Sequence, residues 1–231
     1  MTLQFDTAQQ RETGLIAIEN GAFDARLRQW ANSVREYASP LVVTVLPQAD
    51  ADWAVSSAVA GGGVPADASA AWRHVRDLFA KAGASNAAFA WAPARAGDDE
   101  QFAPPKGSTD AVVVTELRLN GTAWPNVSSA LDLAAEAHPG APLILVLGAV
   151  GDSVQKATWL RDALAQAAAR PRVEAVVYHE AAPGSSGDDP AEDWSASSDP
   201  ATTKVMQAFL RTAADGDVTR KAVLNAAESA R

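Results

Sequence analysis

Amide, carboxylate and imidazole side chains gather at the ends of two apolar runs in this sequence. The first run, PLVVTVLPQADADW, places Gln48 and Asp50 directly after its apolar part. The second, EAVVYHEA, contains the dipeptide His179–Glu180 near its end. A histidine next to a carboxylate is a candidate acid–base couple near neutral pH. The sequence therefore raises the question of whether these strand ends carry proton-transfer chemistry.

The spacing of apolar residues predicts the parallel sheet that would position these groups. Short, nearly continuous apolar runs are typical of parallel strands covered on both faces. Such runs occur at 41–46, 86–92, 111–117, 142–149 and 174–181. Amphipathic patterns between them predict helices at 24–38, 69–83, 127–137 and 153–169. This alternation of strands and helices indicates an α/β fold built from βα units.

Single residues predict several boundaries between these elements. Ser69 is expected as an N-cap and Gly83 as the C-terminal stop of one helix. A later helix is expected to begin with Asp199 as N-cap and Pro200 as its first residue. The Gly-rich segment 60–68 is expected to be a flexible loop.

The whole chain, residues 1–231, is expected to form one domain. Within it, 182–199 is expected to be a long polar loop and 215–231 a C-terminal helical extension. The acidic runs of the long loops fit solvated surface, and their spacing matches no calcium-binding pattern.

Composition excludes several classes of function. The formal net charge of -9 and the absence of a basic cluster disfavour a nucleic-acid partner. Without cysteine the chain has no disulfide, thiolate nucleophile or zinc–thiolate site, and its three scattered histidines predict no metal site or cofactor. No apolar run approaches the roughly 20 residues that span a bilayer. The polar opening is not a signal peptide, so the compartment stays open.

The order of the predicted elements resembles that of family-26 glycoside hydrolases, whose best-known members are β-mannanases. Six blocks carry the resemblance: ENGAFDARLRQWANSVREYASPLVV, AAWRHVRDLFAKAGASNAAFAWAPA, STDAVVVTELRLNGTAW, APLILVLG, KATWLRDALAQAAARPRVEAVVYHEA and DWSASSDPATTKVMQAF. The resemblance implies a TIM-barrel-like (β/α) fold. The opening TLQFD aligns with the third barrel strand. The chain would therefore hold about six parallel strands and lack the first two strand–helix units.

The resemblance also identifies the two positions at which family members carry their catalytic glutamates. Gln48 stands where the general acid/base glutamate lies, and Leu147 where the nucleophile lies. Retaining hydrolysis needs two carboxyl groups about 5–5.5 Å apart. An amide cannot cycle a proton at neutral pH, and leucine has no nucleophilic atom. The resemblance thus implies a degenerate member without catalytic residues.

Other side chains are weaker candidates to replace the missing glutamates. Asp50 follows one predicted strand, and His179 and Glu180 lie at the end of another, so that two of them could form a relocated pair. Because successive strand residues point to opposite faces, only one of His179 and Glu180 can face the barrel interior.

Glu116 lies inside an apolar run and is a further carboxylate to explain. The simplest interpretation is an ion pair with a basic residue such as Arg118 or Arg73.

Three tryptophans are candidate ligand-binding residues. Trp53, Trp91 and Trp124 lie at or just past predicted strand ends, where an aromatic face can pack against a pyranose ring. Core packing is the alternative role for each of them.

The leading functional hypothesis is a catalytically inactive glycoside-hydrolase-like protein that serves as a binding or structural/assembly component. One alternative is an active, endo-β-mannanase-like glycosidase with a rearranged site. Another is a carbohydrate-binding module with a residual sugar cleft. The expected partners are a polysaccharide or oligosaccharide, and a protein or second copy paired across the open sheet edge.

Overall fold

The structure is a computed structural model that describes residues 2–3, 14–51, 58, 63–97, 100–181 and 192–214. The strands are β1 (Thr2–Leu3), β2 (Leu41–Val45), β3 (Ala87–Trp91), β4 (Ala111–Arg118), β5 (Leu143–Ala149) and β6 (Val173–Tyr178). The helices are α1 (Gly14–Glu19), α2 (Asp24–Tyr37), α3 (Pro65–Lys81), α4 (Val127–Ala137), α5 (Ser153–Ala168) and α6 (Pro200–Ala214). A 3₁₀ turn spans Glu100–Phe102. In the part of the chain described, no helix is long and apolar enough to cross a membrane.

The chain divides into two compact units. One comprises Met1–Val113 with Ala222–Arg231, and the other comprises Val114–Lys221. Strands follow chain order, β1-β2-β3-β4 in the first unit and β4-β5-β6 in the second. The pairs β1–β2, β2–β3, β3–β4 and β5–β6 are all parallel. Parallel strands alternating with helices are the predicted α/β arrangement.

In the first unit, one face of the sheet packs on helix α3. Val43 of β2 is in register with Phe89 of β3. The Phe89 ring meets Trp72 and Phe79 of α3 edge-on, with centroids 6.3 and 5.4 Å apart. Trp91 follows Phe89 by two residues and therefore lies on the same helix-covered face. Its exposed fraction is only 2%.

Asp110 ties helix α3 to the start of β4. Its Oδ2 atom accepts hydrogen bonds from the Phe89 backbone N–H at 2.6 Å and from Arg76 Nη1 at 3.1 Å. Arg76 also donates to the Ser108 carbonyl, and its guanidinium lies 4.8 Å from the Phe89 ring centre. The carboxylate thus fixes where β4 enters the sheet.

In the second unit, helices cover one face of β5. Leu143, Leu145 and Leu147 alternate along the strand and are at most 1% exposed. Helices α4 and α5 pack against β5. Leu147 is in register with Tyr178 of β6, and Val146 with Val177. Because Val177 is 48% exposed, the face that carries it remains partly open.

Helix α3 begins earlier than predicted. It starts at Pro65, and Asp67 Oδ2 accepts the Val64 backbone N–H at 3.1 Å. Ser69 is therefore an internal residue, and the predicted loop 60–68 was wrong from Pro65 onward. The pattern missed this start because a proline in the first helical turn and an aspartate two residues later satisfy the helix end without Ser69.

Other boundaries follow the prediction closely. Gly83 ends α3 with a φ of +74°, a left-handed conformation that glycine adopts without strain. Asp199 Oδ1 accepts the Ala201 backbone N–H at 3.0 Å, which confirms it as the cap of α6. The short helix α1 was not predicted. The segment 215–231 lies outside the described residues.

A pH-dependent contact between α2 and α3 gives a first prediction. His74 Nε2 lies 2.6 Å from Asp24 Oδ1, and Arg28 also pairs with this carboxylate at 2.6 Å. The hydrogen bond with His74 holds the pKa of Asp24 below its usual value. A depressed carboxyl pKa stabilises the fold above the unfolded-state value near 4, and this stabilisation is lost as the pH falls through the folded-state pKa. We expect Asp24→Asn to lower the free energy of unfolding at pH 7 by about 1 kcal/mol, with less effect below about pH 4.

Urea unfolding at pH 7 and pH 3.5 measures this difference. Asp77→Asn is the matched control, because Asp77 is exposed on α3 and its carboxylate makes no side-chain hydrogen bond with any described residue. An equal loss of stability in Asp24→Asn at both pH values would contradict the assigned role of the carboxylate.

Candidate functional site

The carboxyl end of β2 holds the residue expected at the acid/base position. Leu46 and Gln48 have φ angles of +50° and +56°, in the left-handed region that residues other than glycine seldom adopt. The Gln48 backbone N–H donates to the Ala92 carbonyl at 2.7 Å, and its carbonyl accepts from Ala51 at 3.0 Å. The backbone on both sides of Gln48 is therefore fixed.

Asp50 braces the loop that follows β3. Its Oδ1 atom accepts the Ala94 backbone N–H at 2.8 Å. This carboxylate therefore caps the loop after β3. Trp53 lies outside the described residues.

Trp91 lies in the core of the first unit. It belongs to the buried cluster that includes Phe89 and the apolar face of α3. Its Nε1 atom is buried and makes no hydrogen bond with any described residue. A sugar would reach this ring only after its covering residues had moved.

The carboxyl end of β5 contains hydrocarbon and a tightly enclosed glycine. Leu147 has no solvent exposure and lies on the helix-covered face of the strand. Gly148 points to the opposite face. A Cβ atom there would lie 2.9 Å from Leu117 Cδ2, 3.1 Å from His179 Cβ and 3.2 Å from Trp194 Cε3. Neither Leu147 nor Gly148 therefore supplies a carboxylate, and Gly148 leaves no space for a side chain.

His179 lies on the same face as Gly148. Its ring meets the buried Trp194 ring edge-on, with centroids 5.3 Å apart and planes at 79°. The His179 backbone N–H donates to the Leu147 carbonyl at 2.7 Å, which continues the pairing of β6 with β5. Glu180, the next residue, has a different partner, because its carboxylate accepts a hydrogen bond from Ser195.

The Glu180 carboxylate is fully engaged by a turn formed by Ser195–Ser197. It accepts hydrogen bonds from Ser195 Oγ at 2.8 Å, Ser197 Oγ at 2.7 Å and the Ala196 backbone N–H at 2.8 Å. Burial alone would raise the pKa of Glu180, but these hydrogen bonds outweigh it and hold the pKa at about 2. A carboxyl group with so low a pKa is ionised at neutral pH, which suits its contacts with the hydroxyl and N–H donors of the turn.

A buried lysine holds the other side of this turn. Lys156 of α5 is 3% exposed, and its ammonium donates to the Ser195 carbonyl at 2.8 Å. Burial lowers the pKa of Lys156, while the charges of Asp193, Asp199 and Glu180 act in the opposite direction. The sequence analysis missed this network. The one sequence feature that could have indicated the network is the position of Lys156, four residues before Leu160 on the apolar stripe of α5.

Two of the three candidate tryptophans lie within the described residues, and of these Trp124 is the partly exposed one. Its ring lies 4.9 Å from the Arg118 guanidinium and 5.7 Å from the ring of Trp159. Its Nε1 donates to Gln155 Oε1 at 3.3 Å. Arg118 in turn donates to the Val150 carbonyl at 2.6 Å. An aromatic ring, a guanidinium and an amide thus share one surface at the end of β4.

Glu116 does not form the expected ion pair. Arg118 is used by Val150 and Trp124, and no described residue pairs with the Glu116 carboxyl group. Burial raises the pKa of Glu116 to about 7. The expectation failed because Glu116 is only partly buried, so the absence of a partner costs less than it would in a dry core. Among the described residues, no group of three or more His, Asp or Glu side chains could hold a metal ion.

Comparisons with known proteins give structural neighbours alone. No protein-family model and no curated protein sequence matches the chain. A GH26 β-mannanase from Bacteroides ovatus superposes with a TM-score of 0.64 at 12% identity, over 89% of this chain and 62% of the mannanase. The chain therefore spans less than two thirds of that enzyme's length.

Two further neighbours are oligosaccharide-binding proteins of GH128 subgroup VII. The one from Trichoderma gamsii has a TM-score of 0.50 at 18% identity, over 74% of this chain and 70% of the neighbour. The one from Cryptococcus neoformans has a TM-score of 0.50 at 16% identity, over 73% and 70% of the two chains. Together with the parallel strands and alternating helices, these neighbours show that the chain has a glycoside-hydrolase-like, incomplete (β/α) barrel fold.

Proposed function

We propose that the protein binds carbohydrate on a glycoside-hydrolase-like framework and does not cleave it. The observation that carries the proposal is the carboxyl end of β5. The side chain there is either the buried Leu147 or the enclosed Gly148, and neither offers an acid or a nucleophile. A retaining mechanism has no nucleophile without a carboxylate at this position.

The state of the substitute carboxylates supports the same proposal. Asp50 caps the loop after β3, and Glu180 is held ionised by the turn at Ser195–Ser197. A relocated acid/base pair would have to break one of these sets of hydrogen bonds. An active, rearranged mannanase-like site is therefore the weaker alternative.

Trp124 is the proposed sugar platform. Its partly exposed indole lies beside the polar groups of Arg118 and Gln155. A pyranose has an apolar C–H face and hydroxyl groups, and this surface offers a partner for each of them. The neighbours from Trichoderma gamsii and Cryptococcus neoformans, described as oligosaccharide-binding proteins, support this assignment.

A role in assembly is a second candidate function. Val177 is 48% exposed and Leu117 is 36% exposed. Within the described residues β6 pairs on one side only, with β5. An exposed strand edge beside apolar side chains favours pairing with another chain or a second copy. Light scattering on the purified chain tests this role, because a monomer at all concentrations would count against it.

The binding proposal predicts retention of oligosaccharides without turnover. Calorimetric titration with manno-, xylo- and β-gluco-hexasaccharides should give a measurable Kd for at least one, and chromatography should recover that sugar uncut. Trp124→Ala should weaken this binding by about tenfold or more, because a stacked aromatic contributes on the order of 1.5 kcal/mol.

Trp30→Ala is the matched control for Trp124→Ala. Trp30 is also partly exposed and lies beside a guanidinium, with Arg26 at 5.7 Å from its ring centre. The control variant should keep the wild-type Kd. Cleavage of any of the three hexasaccharides, or the absence of binding to all of them, would overturn the proposed function.

A structural role for Glu180 predicts a stability defect. Glu180→Gln should lower the free energy of unfolding at pH 7 by about 1 kcal/mol, because an amide NH₂ would face the donors that now bind the carboxylate. Since the folded-state pKa is depressed to about 2, the difference from wild type should fall between about pH 4.5 and pH 2. Guanidinium unfolding at both ends of this range measures the effect.

Glu174→Gln is the control in the same strand. Burial raises the pKa of Glu174, so removing its charge relieves a penalty and should not destabilise the protein. A Glu180→Gln variant with unchanged stability that loses a hydrolytic activity of the wild type would identify Glu180 as a catalyst instead.

A further inference from the structure

The backbone just past the end of β2 is strained at Gln48. Gln48 occupies the left-handed region with a φ of +56°. For a side chain without special affinity for this region, the conformation is unfavourable, and glycine would adopt it without strain. Strain of this kind persists where the surroundings enforce it, and it concentrates at ligand-binding and catalytic sites.

Hydrogen bonds hold the backbone around Gln48 in place. Its N–H and C=O are bound to Ala92 and Ala51, and the neighbouring Asp50 is bound to Ala94. The side-chain amide is half-buried and makes no hydrogen bond with any described residue. The fold thus fixes the direction of this side chain without using its two donors and its acceptor.

The location of Gln48 suits a ligand contact. It lies just past the carboxyl end of β2, and in open parallel α/β sheets ligands bind outside the carboxyl ends of the strands. A neutral amide that offers donors and an acceptor together matches hydroxyl groups, which both donate and accept. Because it carries no charge, it would attract a cation or an anion less strongly than a charged side chain would.

We infer that Gln48 is a ligand-contact residue whose amide binds hydroxyl groups of a neutral carbohydrate. This inference rests on the proposed carbohydrate binding and adds to it a second binding residue and a hydroxyl-rich, uncharged ligand class. The strained backbone presents the amide, and the carboxylate chemistry expected at this position is replaced by recognition.

Two substitutions separate ligand contact from a structural role. Gln48→Gly removes the amide and relieves the strain, so it should raise the Tm by about 2–4 °C. It should also weaken the Kd for whichever manno-, xylo- or β-gluco-hexasaccharide the wild type binds by about tenfold. Gln48→Asn keeps an amide and tolerates the left-handed region, so its binding should fall between wild type and Gln48→Gly.

Ala38→Gly is the matched control for strain relief. Ala38 caps the end of α2 with a φ of +59° and is exposed. The Tm of this variant should rise by a similar amount, and its Kd should equal that of the wild type. A Gln48→Gly variant with the wild-type Kd, or with a lowered Tm, would overturn the inference and leave the proposed function standing. A wild type that binds none of the hexasaccharides would overturn both.

Discussion

The alternation of side chains along parallel strands is the constraint on which the rest of the second unit depends. Along β5 it sends Leu147 into the helix-covered core and leaves Gly148 enclosed by Leu117, His179 and Trp194. Just past β6, His179 contacts the Trp194 ring, whereas the Glu180 carboxylate binds Ser195. Adjacent residues in the sequence thus serve different surfaces of the sheet.

The second organising feature is the polar network on the helix-covered side of β6. The ammonium group of Lys156 on α5 is buried. Its desolvation cost is offset because backbone carbonyl groups accept its hydrogen bonds and three carboxylates lie near it. The Glu180 carboxylate in turn accepts hydrogen bonds from the turn at Ser195–Ser197. The network links α5, the residues that follow β6 and the approach to α6.

The periodicity of apolar residues was sufficient to predict the main strands and most of the helices. The predicted helix 127–137 coincides with α4, and the predicted strand 41–46 differs from β2 by one residue. Both predictions depend only on the apolar periodicity within one helix or one strand. The start of α3 was misplaced because Pro65 and Asp67 satisfy the helix end within a stretch whose glycines indicate a loop.

The candidate site was less predictable because its chemistry depends on contacts between distant segments. Nothing in the sequence next to Glu180 indicates that Ser195 and Ser197 bind it, or that Lys156 lies beneath them. Likewise, the Gln48 backbone N–H is bound by Ala92, which lies far along the chain, so the neighbouring sequence does not indicate the left-handed conformation of Gln48. The resemblance identified Gln48 and Leu147 as the positions of the family's catalytic glutamates, whereas the contacts of Asp50 and Glu180 became known only from the fold.

A crystal structure of the protein after prolonged exposure to the hexasaccharide that it binds best tests the central claim most directly. The account predicts an intact oligosaccharide held without a covalent bond to the protein. A shortened product, or a sugar linked covalently to a carboxylate, would contradict it.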